Sequence, residues 1–161
     1  MKHSKLIYFS KKEKVQLNIS KIKKTEILSN DDVGVKRASD IIKSGGLVAL
    51  PTETVYGLGA DATNPKAIDL IYKTKGRPSI NPLIIHVLDN NYVFEVADKN
   101  ELAEDLSSKF WPGPLTLILN KKNNSKLKIA KNALADLSTI AVRVPAPVSY
   151  THLTLPTIYS V

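Results

Sequence analysis

The stretch GGLVALPTETVYGLG, residues 45–59, places polar side chains directly after an apolar run. Residues 47–50 are typical of a buried strand, and Thr52, Glu53 and Thr54 follow it within four positions. Hydroxyl and carboxylate groups at the carboxyl end of a strand lie where open sheets bind ligands. They can hydrogen-bond a zwitterion or a phosphate, and an ordinary strand-to-turn junction is an equally good interpretation.

A second group of polar residues is the stretch KTKGRPSINP, residues 73–82. Lys75 and Arg77 fall at the end of a predicted helix and in the loop beyond it, and two prolines stiffen that loop. Cations at this position complement the helix dipole. Alternatively they clamp a polyphosphate, which Arg binds bidentately and Lys as a point charge. The local sequence leaves both readings open.

His86 and Arg143 each interrupt an apolar strand-like run, LIIHV and AVRV. A lone strand histidine is more often structural than catalytic. No second histidine stands at metal-ligand spacing, so the sequence predicts no metal site built from histidines. A buried arginine needs an anionic partner, which is either an internal carboxylate or the carboxylate of a ligand. Trp111, at a helix stop, is predicted to pack in the core.

Apolar spacing predicts a single α/β (α+β) domain, with a twisted mixed sheet flanked by helices. Capping residues and glycines mark a helix at about 32–44, a second from Asn64-Pro65 to Gly76, and a third that Asn100 or Asp98 opens and that runs through Leu102, Leu106 and Phe110. The predicted strands are 47–50, 83–87, 115–119 and 140–144. The sequence has no GxxxxGK[ST], GxGxxG or Ser-His-Asp pattern, so phosphate binding has to rest on cationic side chains.

Net charge is +8 over 161 residues, but eight lysines and two glutamates within residues 1–26 supply most of it. The remaining chain is nearly neutral. The basic start, residues 1–30, is interpreted as a solubilising extension with edge strands or as an arm that weakly attracts RNA. With no cysteine, no secretory signal and no apolar run near 20 residues, the chain is predicted to be cytoplasmic and to contact no membrane.

The end of the chain differs in composition, because the 18 residues after Arg143 contain no Lys, Arg, Asp or Glu. We therefore predict a non-native tail at 148–161, following an incomplete domain at 31–147. A native, β-rich terminal segment is the alternative interpretation.

Four ordered motifs resemble the YrdC-like domain family of threonylcarbamoyl-AMP synthases. The two long ones, PTETVYGLGADA and KGRPSxNPL, are specific enough that coincidence is a poor explanation. The matching stretches are GGLVALPTETVYGLGADATN (45–64), IYKTKGRPSINPLIIHV (71–87), FWPGPLTLIL (110–119) and TIAVRVP (139–145).

The resemblance implies that L-threonine, bicarbonate and ATP, with Mg²⁺, give threonylcarbamoyl-adenylate and pyrophosphate. A partner enzyme downstream then modifies an adenosine of tRNA. It also implies catalytic roles for Lys75 and Arg77. The implied threonine-binding residues are Thr52, Thr54, His86 and Arg143, and the implied ATP-binding residues are Lys75, Arg77, Asn81 and Thr139.

The chain departs from the family after Pro145, where a Ser-Ala-Asn-type loop that contacts ATP and bicarbonate is expected. We therefore expect a C-terminally truncated member that folds poorly or binds ATP weakly, although its complete parent is active. The alternatives are a double-stranded RNA-binding module of the same fold, a carbamoyl-transfer domain of a hydrogenase-maturation protein, and an inactive fragment.

Overall fold

A computed structural model describes residues 6–9, 25–53 and 55–146. Within these ranges the chain forms two small sheets, four α-helices and one 3-10 helix. The strands are β1 (Leu6–Phe9), β2 (Glu26–Leu28), β3 (Leu47–Pro51), β4 (Tyr56–Gly59), β5 (Ile84–His86), β6 (Leu117–Asn120) and β7 (Thr139–Arg143). The helices are α1 (Asp32–Lys43), α2 (Pro65–Lys75), α3 (Asn90–Val96) and α4 (Glu101–Phe110), and the 3-10 helix is Lys131–Leu134.

The first sheet has the order β2-β1-β3-β4, and each neighbouring pair is antiparallel. Helix α1 covers it with an apolar stripe that includes Val35, Ala38 and Ile42. These side chains meet Val48 and Leu50 of β3 in one buried cluster, because strand residues of one parity point to the same face. The stretch that carries the PTET turn is therefore fixed from its buried side.

The second sheet has the order β5-β7-β6 and is mixed, since β5 and β7 run parallel while β6 and β7 run antiparallel. One face of it, with Ile85, Ile140 and Val142, is buried in the larger core. Helix α2 contributes Ile68 and Ile71 to the same core. His86 and Arg143 therefore lie on the opposite face of this sheet.

Local signals set the ends of the helices. Asn64 Oδ1 accepts hydrogen bonds from two α2 backbone N–H groups, and Gly76 ends that helix in the left-handed conformation, with φ 61°. Asn100 caps α4 in the same way, through the N–H of Ala103. In α1, Gly34 passes so close to Ser29 that an added Cβ would lie 1.9 Å from the Ser29 carbonyl oxygen.

The predicted fold class is confirmed, and so are the helix at 32–44 and the core position of Trp111, which is 8% exposed. The prediction missed β4, which contains Gly57 and Gly59. Glycine is uncommon inside strands, but pairing with Leu50 and Val48 of β3 holds both glycines in one. The strands also form two sheets instead of one.

Helix α3 was missed as well, because its sequence NNYVFEV is rich in β-branched and aromatic residues that favour strands. Asp89 overrides that preference by accepting hydrogen bonds from the N–H groups of Asn91 and Tyr92. No helix in the described part of the chain is long and apolar enough to span a membrane.

Candidate functional site

The turn between β3 and β4 contains Thr52 and Glu53, two of the polar residues singled out in the sequence. The backbone N–H of Thr52 donates to the Val55 carbonyl oxygen at 3.1 Å, and the Thr52 hydroxyl donates to the same oxygen at 2.6 Å. The hydroxyl also accepts from the Val55 N–H at 3.1 Å. Thr52 thus closes the turn that presents Glu53. Thr54 lies outside the described residues.

Arg143, the last residue of β7, is held by groups from two distant segments. Its Nη2 lies 2.7 Å from Glu53 Oε1 in an ion pair whose side chains are 9% and 21% exposed. Its Nε donates to the Gly113 carbonyl oxygen at 3.1 Å. The backbone N–H of Gly113 in turn donates to the Val144 carbonyl oxygen, so the turn after α4 is fixed to the end of β7.

His86 lies directly beside Arg143, because the two residues are register partners on the parallel strands β5 and β7. Paired residues on neighbouring strands point to the same face, and both side chains are buried. Burial and the adjacent Arg143 charge lower the pKa of His86 to about 3, although Glu53 opposes this shift. The imidazole is therefore neutral at physiological pH.

Glu53 is ionised in this cluster. Desolvation, the largest single influence, raises the pKa of its carboxyl group. The hydrogen bond and charge of Arg143, with backbone N–H groups of Glu53 and Ala146, outweigh it, so the pKa is lower than the ordinary value. Arg143 and Glu53 together make a buried dipole with one cationic and one anionic end beside a neutral histidine. Such a dipole complements a zwitterion.

The predicted phosphate-binding residues lie in other parts of the fold, and only Thr139 among them is in a strand. Arg77 Nη2 donates to the carbonyl oxygen of Pro82, two residues before β5 begins. Thr139 begins β7, two residues before the partner of Ile84. Arg77 and Thr139 therefore lie at the amino-terminal edge of this strand pair.

Lys75 and Asn81 belong to the same region as Arg77. Lys75 is the last residue of α2 and is exposed, and Asn81 follows in the loop. The Tyr72 hydroxyl contacts the carbonyl oxygens of Asn81 and Asn132, at 2.9 Å and 3.1 Å. These two hydrogen bonds connect the loop to α2 and to the 3-10 helix, and they fix the backbone of the loop at Asn81.

The structure thus places the predicted residues near the two ends of the β5–β7 strand pair. Thr139, Ala141 and Arg143 point to the same face of β7, because every second residue of a strand does so. Four residues at about 3.3 Å each put Thr139 roughly 13 Å from Arg143. His86, Arg143 and Glu53 lie at one end and Arg77 and Thr139 at the other. A groove of about 440 Å³ between α3 and α4 contains none of these residues.

Two contributors to the site were not identified from the sequence. An internal carboxylate was one of two partners considered for Arg143, but it was not assigned to Glu53, and the Gly113 carbonyl was not anticipated. The available signals were the acidic residue inside PTET and the helix-stopping WPGP stretch.

Comparison with known proteins identifies the family. A family model named for Sua5, YciO and YrdC, with the description "Telomere recombination", matches residues 40–155. The chain belongs to this family. The resemblance read from the sequence motifs is therefore confirmed, and it extends over most of the chain.

Relatives similar to this chain include proteins named threonylcarbamoyl-AMP synthase. That of Bacillus subtilis is 43% identical over 122 residues, 75% of this chain and 34% of its own length. That of Pyrococcus abyssi is 46% identical over 114 residues, 70% of this chain and 32% of its own. The chain thus spans about a third of the length of these relatives.

A solved structure agrees with the sequence comparison. Sua5 of P. abyssi complexed with L-threonine superposes with a TM-score of 0.75 at 39% identity. The match covers 81% of this chain and 38% of that one.

Proposed function

We propose that this chain carries the catalytic face of an L-threonylcarbamoyladenylate synthase, an enzyme that makes threonylcarbamoyl-AMP and pyrophosphate from L-threonine, bicarbonate and ATP. The observation that carries the proposal is the buried Glu53–Arg143 ion pair beside the neutral His86, in a chain of the Sua5, YciO and YrdC family. The relatives named threonylcarbamoyl-AMP synthase support the same activity.

The Arg143 end of the face suits an amino acid. The guanidinium has five N–H donors, and Gly113 and Glu53 engage only Nε and Nη2. The remaining donors would bind the threonine carboxylate. Glu53 would orient the amine, and neutral His86 would exchange hydrogen bonds with the substrate without adding charge. Thr52 and Thr54 would complete the threonine contacts.

The other end suits the phosphates of ATP. Lys75, Arg77, Asn81 and Thr139 would hold them, and Lys75 and Arg77 would neutralise charge that develops on them during the reaction. Mg²⁺ would enter as the ATP complex and screen the phosphate charge. Among the described residues, no group of three or more His, Cys, Asp or Glu side chains is placed to hold a metal ion. The phosphate oxygens would therefore be its main ligands.

The chemistry needs positioning more than covalent help. The ammonium group of threonine first loses a proton to water. The uncharged amine then adds to the carbon of bicarbonate, and loss of water leaves the carbamate. A carbamate oxygen then attacks the α-phosphorus of ATP, and pyrophosphate leaves as the new P–O bond forms. This makes the enzyme a nucleotidyltransferase. Its labile product would pass to a tRNA-modifying partner enzyme in the cytoplasm.

Two measurements on the 161-residue chain test the proposal. Isothermal titration should detect L-threonine binding, and the Arg143→Gln variant should lose it, because that substitution removes the charge that holds the carboxylate. Pyrophosphate release should require threonine, bicarbonate and ATP together.

The outcomes distinguish the alternatives. Pyrophosphate release that does not depend on threonine, or an absence of threonine binding, contradicts the proposal. Full activity from these 161 residues contradicts only the expectation of truncation. Preference for carbamoyl phosphate over threonine plus bicarbonate would favour the carbamoyl-transfer reading instead.

A further inference from the structure

Helix α4 presents an apolar stripe to the outside of the molecule. Leu102 and Phe110 are 66% and 55% exposed, and Leu106 lies between them at the same four-residue spacing. The helix instead buries Ala103 and Ser107. A stripe at this spacing is normally the face that a helix buries. Within the described part of the chain, Leu102 and Phe110 stay exposed and Leu106 is half-buried.

The surroundings of this stripe are acidic. Residues 89–109 contain six carboxylates and two lysines, a net charge of −4. Both lysines are already used locally, since Lys99 pairs with Glu104 and Lys109 with Asp105. Asp98 and Glu101 are exposed and form no ion pair among the described residues. They mark an uncompensated negative surface at the start of α4.

The opposite charge is concentrated in residues 121–131, which we call the lysine loop. It contains five lysines and no carboxylate, and none of the five pairs with a carboxylate in the described ranges. Its backbone is fixed: the N–H of Lys121 donates to Ser138, and that of Ala130 donates to Ala62. The lysine loop is therefore an ordered basic surface.

The two surfaces border each other. Ala97, just after α3, forms a β-bridge with Lys121. The N–H of Lys122 donates to the Val96 carbonyl oxygen, and its ammonium group donates to the Phe94 carbonyl oxygen at 3.0 Å. A basic and an acidic patch thus lie side by side next to an exposed apolar stripe. Such a surface is self-complementary under a two-fold rotation, because each patch then meets its opposite.

We propose that two copies of this chain associate through this surface, with the lysine loop of each copy against the acidic α3–α4 surface of the other. The α4 stripes supply the apolar contact between the copies. A folded RNA is the other partner that a lysine-rich loop could attract. The neighbouring carboxylates disfavour it by repelling phosphate, and a second copy satisfies both charges. This proposal does not rest on the proposed function.

A charge-swap experiment tests the proposal. The loop variant is Lys126→Glu/Lys128→Glu/Lys131→Glu, and the acid variant is Asp98→Lys/Glu101→Lys. Sedimentation velocity at about 100 µM protein should show wild-type dimer at low salt and less of it at about 500 mM NaCl, where charges are screened within about 4 Å. Each variant alone should be monomeric, because each then places like charges against each other.

Mixing the two variants should restore a dimer, since both contacts then join opposite charges. Leu102→Gln/Phe110→Gln should remove dimer without this rescue. Lys36→Glu/Lys43→Glu, on exposed positions of α1, is the matched control and should leave the dimer intact. Circular dichroism would verify that every variant is folded.

Three results would overturn the proposal. The first is a monomeric wild type at low salt, and the second is a mixture of variants that stays monomeric. The third is a loop variant that still dimerises but loses binding of a labelled duplex RNA, which would assign the lysine loop to nucleic acid.

Discussion

Arg143 Nη2 lies 2.7 Å from Glu53 Oε1, and this ion pair joins the two sheets of the protein. Glu53 follows β3 of the four-stranded sheet, whereas Arg143 ends β7 of the three-stranded sheet. The pair therefore has a structural role as well as its proposed part in binding. It neutralises a buried guanidinium and fixes the PTET turn over the end of β7.

Removing the charge of Glu53 should destabilise the fold. Glu53→Gln leaves Arg143 buried without a counter-charge, so we expect the free energy of unfolding to fall by about 2 kcal/mol. Urea denaturation measures this. Glu104→Gln, which breaks the exposed Lys99–Glu104 pair, is the control and should cost less than about 1 kcal/mol. Equal losses in the two variants would show that the Glu53 pair contributes no more than a surface pair.

Stability should depend on pH through His86. Its pKa is lowered to about 3 in the folded protein and is ordinary in the unfolded chain. Between these values the unfolded chain binds more protons, so stability is complete above about pH 6.5 and falls as pH drops toward 3. The limiting slope is about 1.4 kcal/mol per pH unit.

The measurement compares His86→Gln with wild type by urea denaturation from about pH 4.5 to 7.5. The variant should show a weaker pH dependence across that window. The lowered pKa of Glu53 acts with the same sign but only at lower pH, and it remains in the variant. If stability changes with pH equally in the two proteins, the pKa of His86 is the same in the folded and unfolded states, and the prediction is wrong.

The proposed ATP end predicts unequal roles for two lysines on one helix. Lys75→Ala and Arg77→Ala should each weaken ATP binding about tenfold or more, because each removes a charge-assisted phosphate contact. Lys73→Ala removes an exposed charge from the same last turn and serves as the control. Titration with ATP and Mg²⁺ measures all three, and equal losses would indicate general electrostatic attraction only.

Two glycines should respond differently to alanine. At Gly34 an added Cβ would lie 1.9 Å from the Ser29 carbonyl oxygen, so the backbone has to move. We expect Gly34→Ala to cost about 3 kcal/mol or more of unfolding free energy. Gly76 has open space around it and a φ of 61°, so Gly76→Ala should cost only about 1 kcal/mol. Thermal unfolding measures both losses. If the backbone at the start of α1 can shift freely, Gly76→Ala would cost more stability than Gly34→Ala.

The sequence by itself determined the features that depend on neighbours in the chain. The Asn64-Pro65 start and Gly76 stop of α2 are readable because capping needs only a few adjacent residues. The apolar runs of β3 and β7 and the family motifs are also local. They were sufficient to predict the fold class and to nominate Arg143 as a residue that needs an anion.

The tertiary structure decided what depends on distant segments. Parallel pairing of β5 and β7 placed His86 beside Arg143. The packing of the two sheets against each other brought Glu53 to Arg143 as its ion-pair partner. Helix α4 has an apolar stripe at Leu102 and Phe110, yet the fold buries Ala103 in its place. Periodicity shows that a helix has an apolar face, but which face is covered depends on the elements that pack against it.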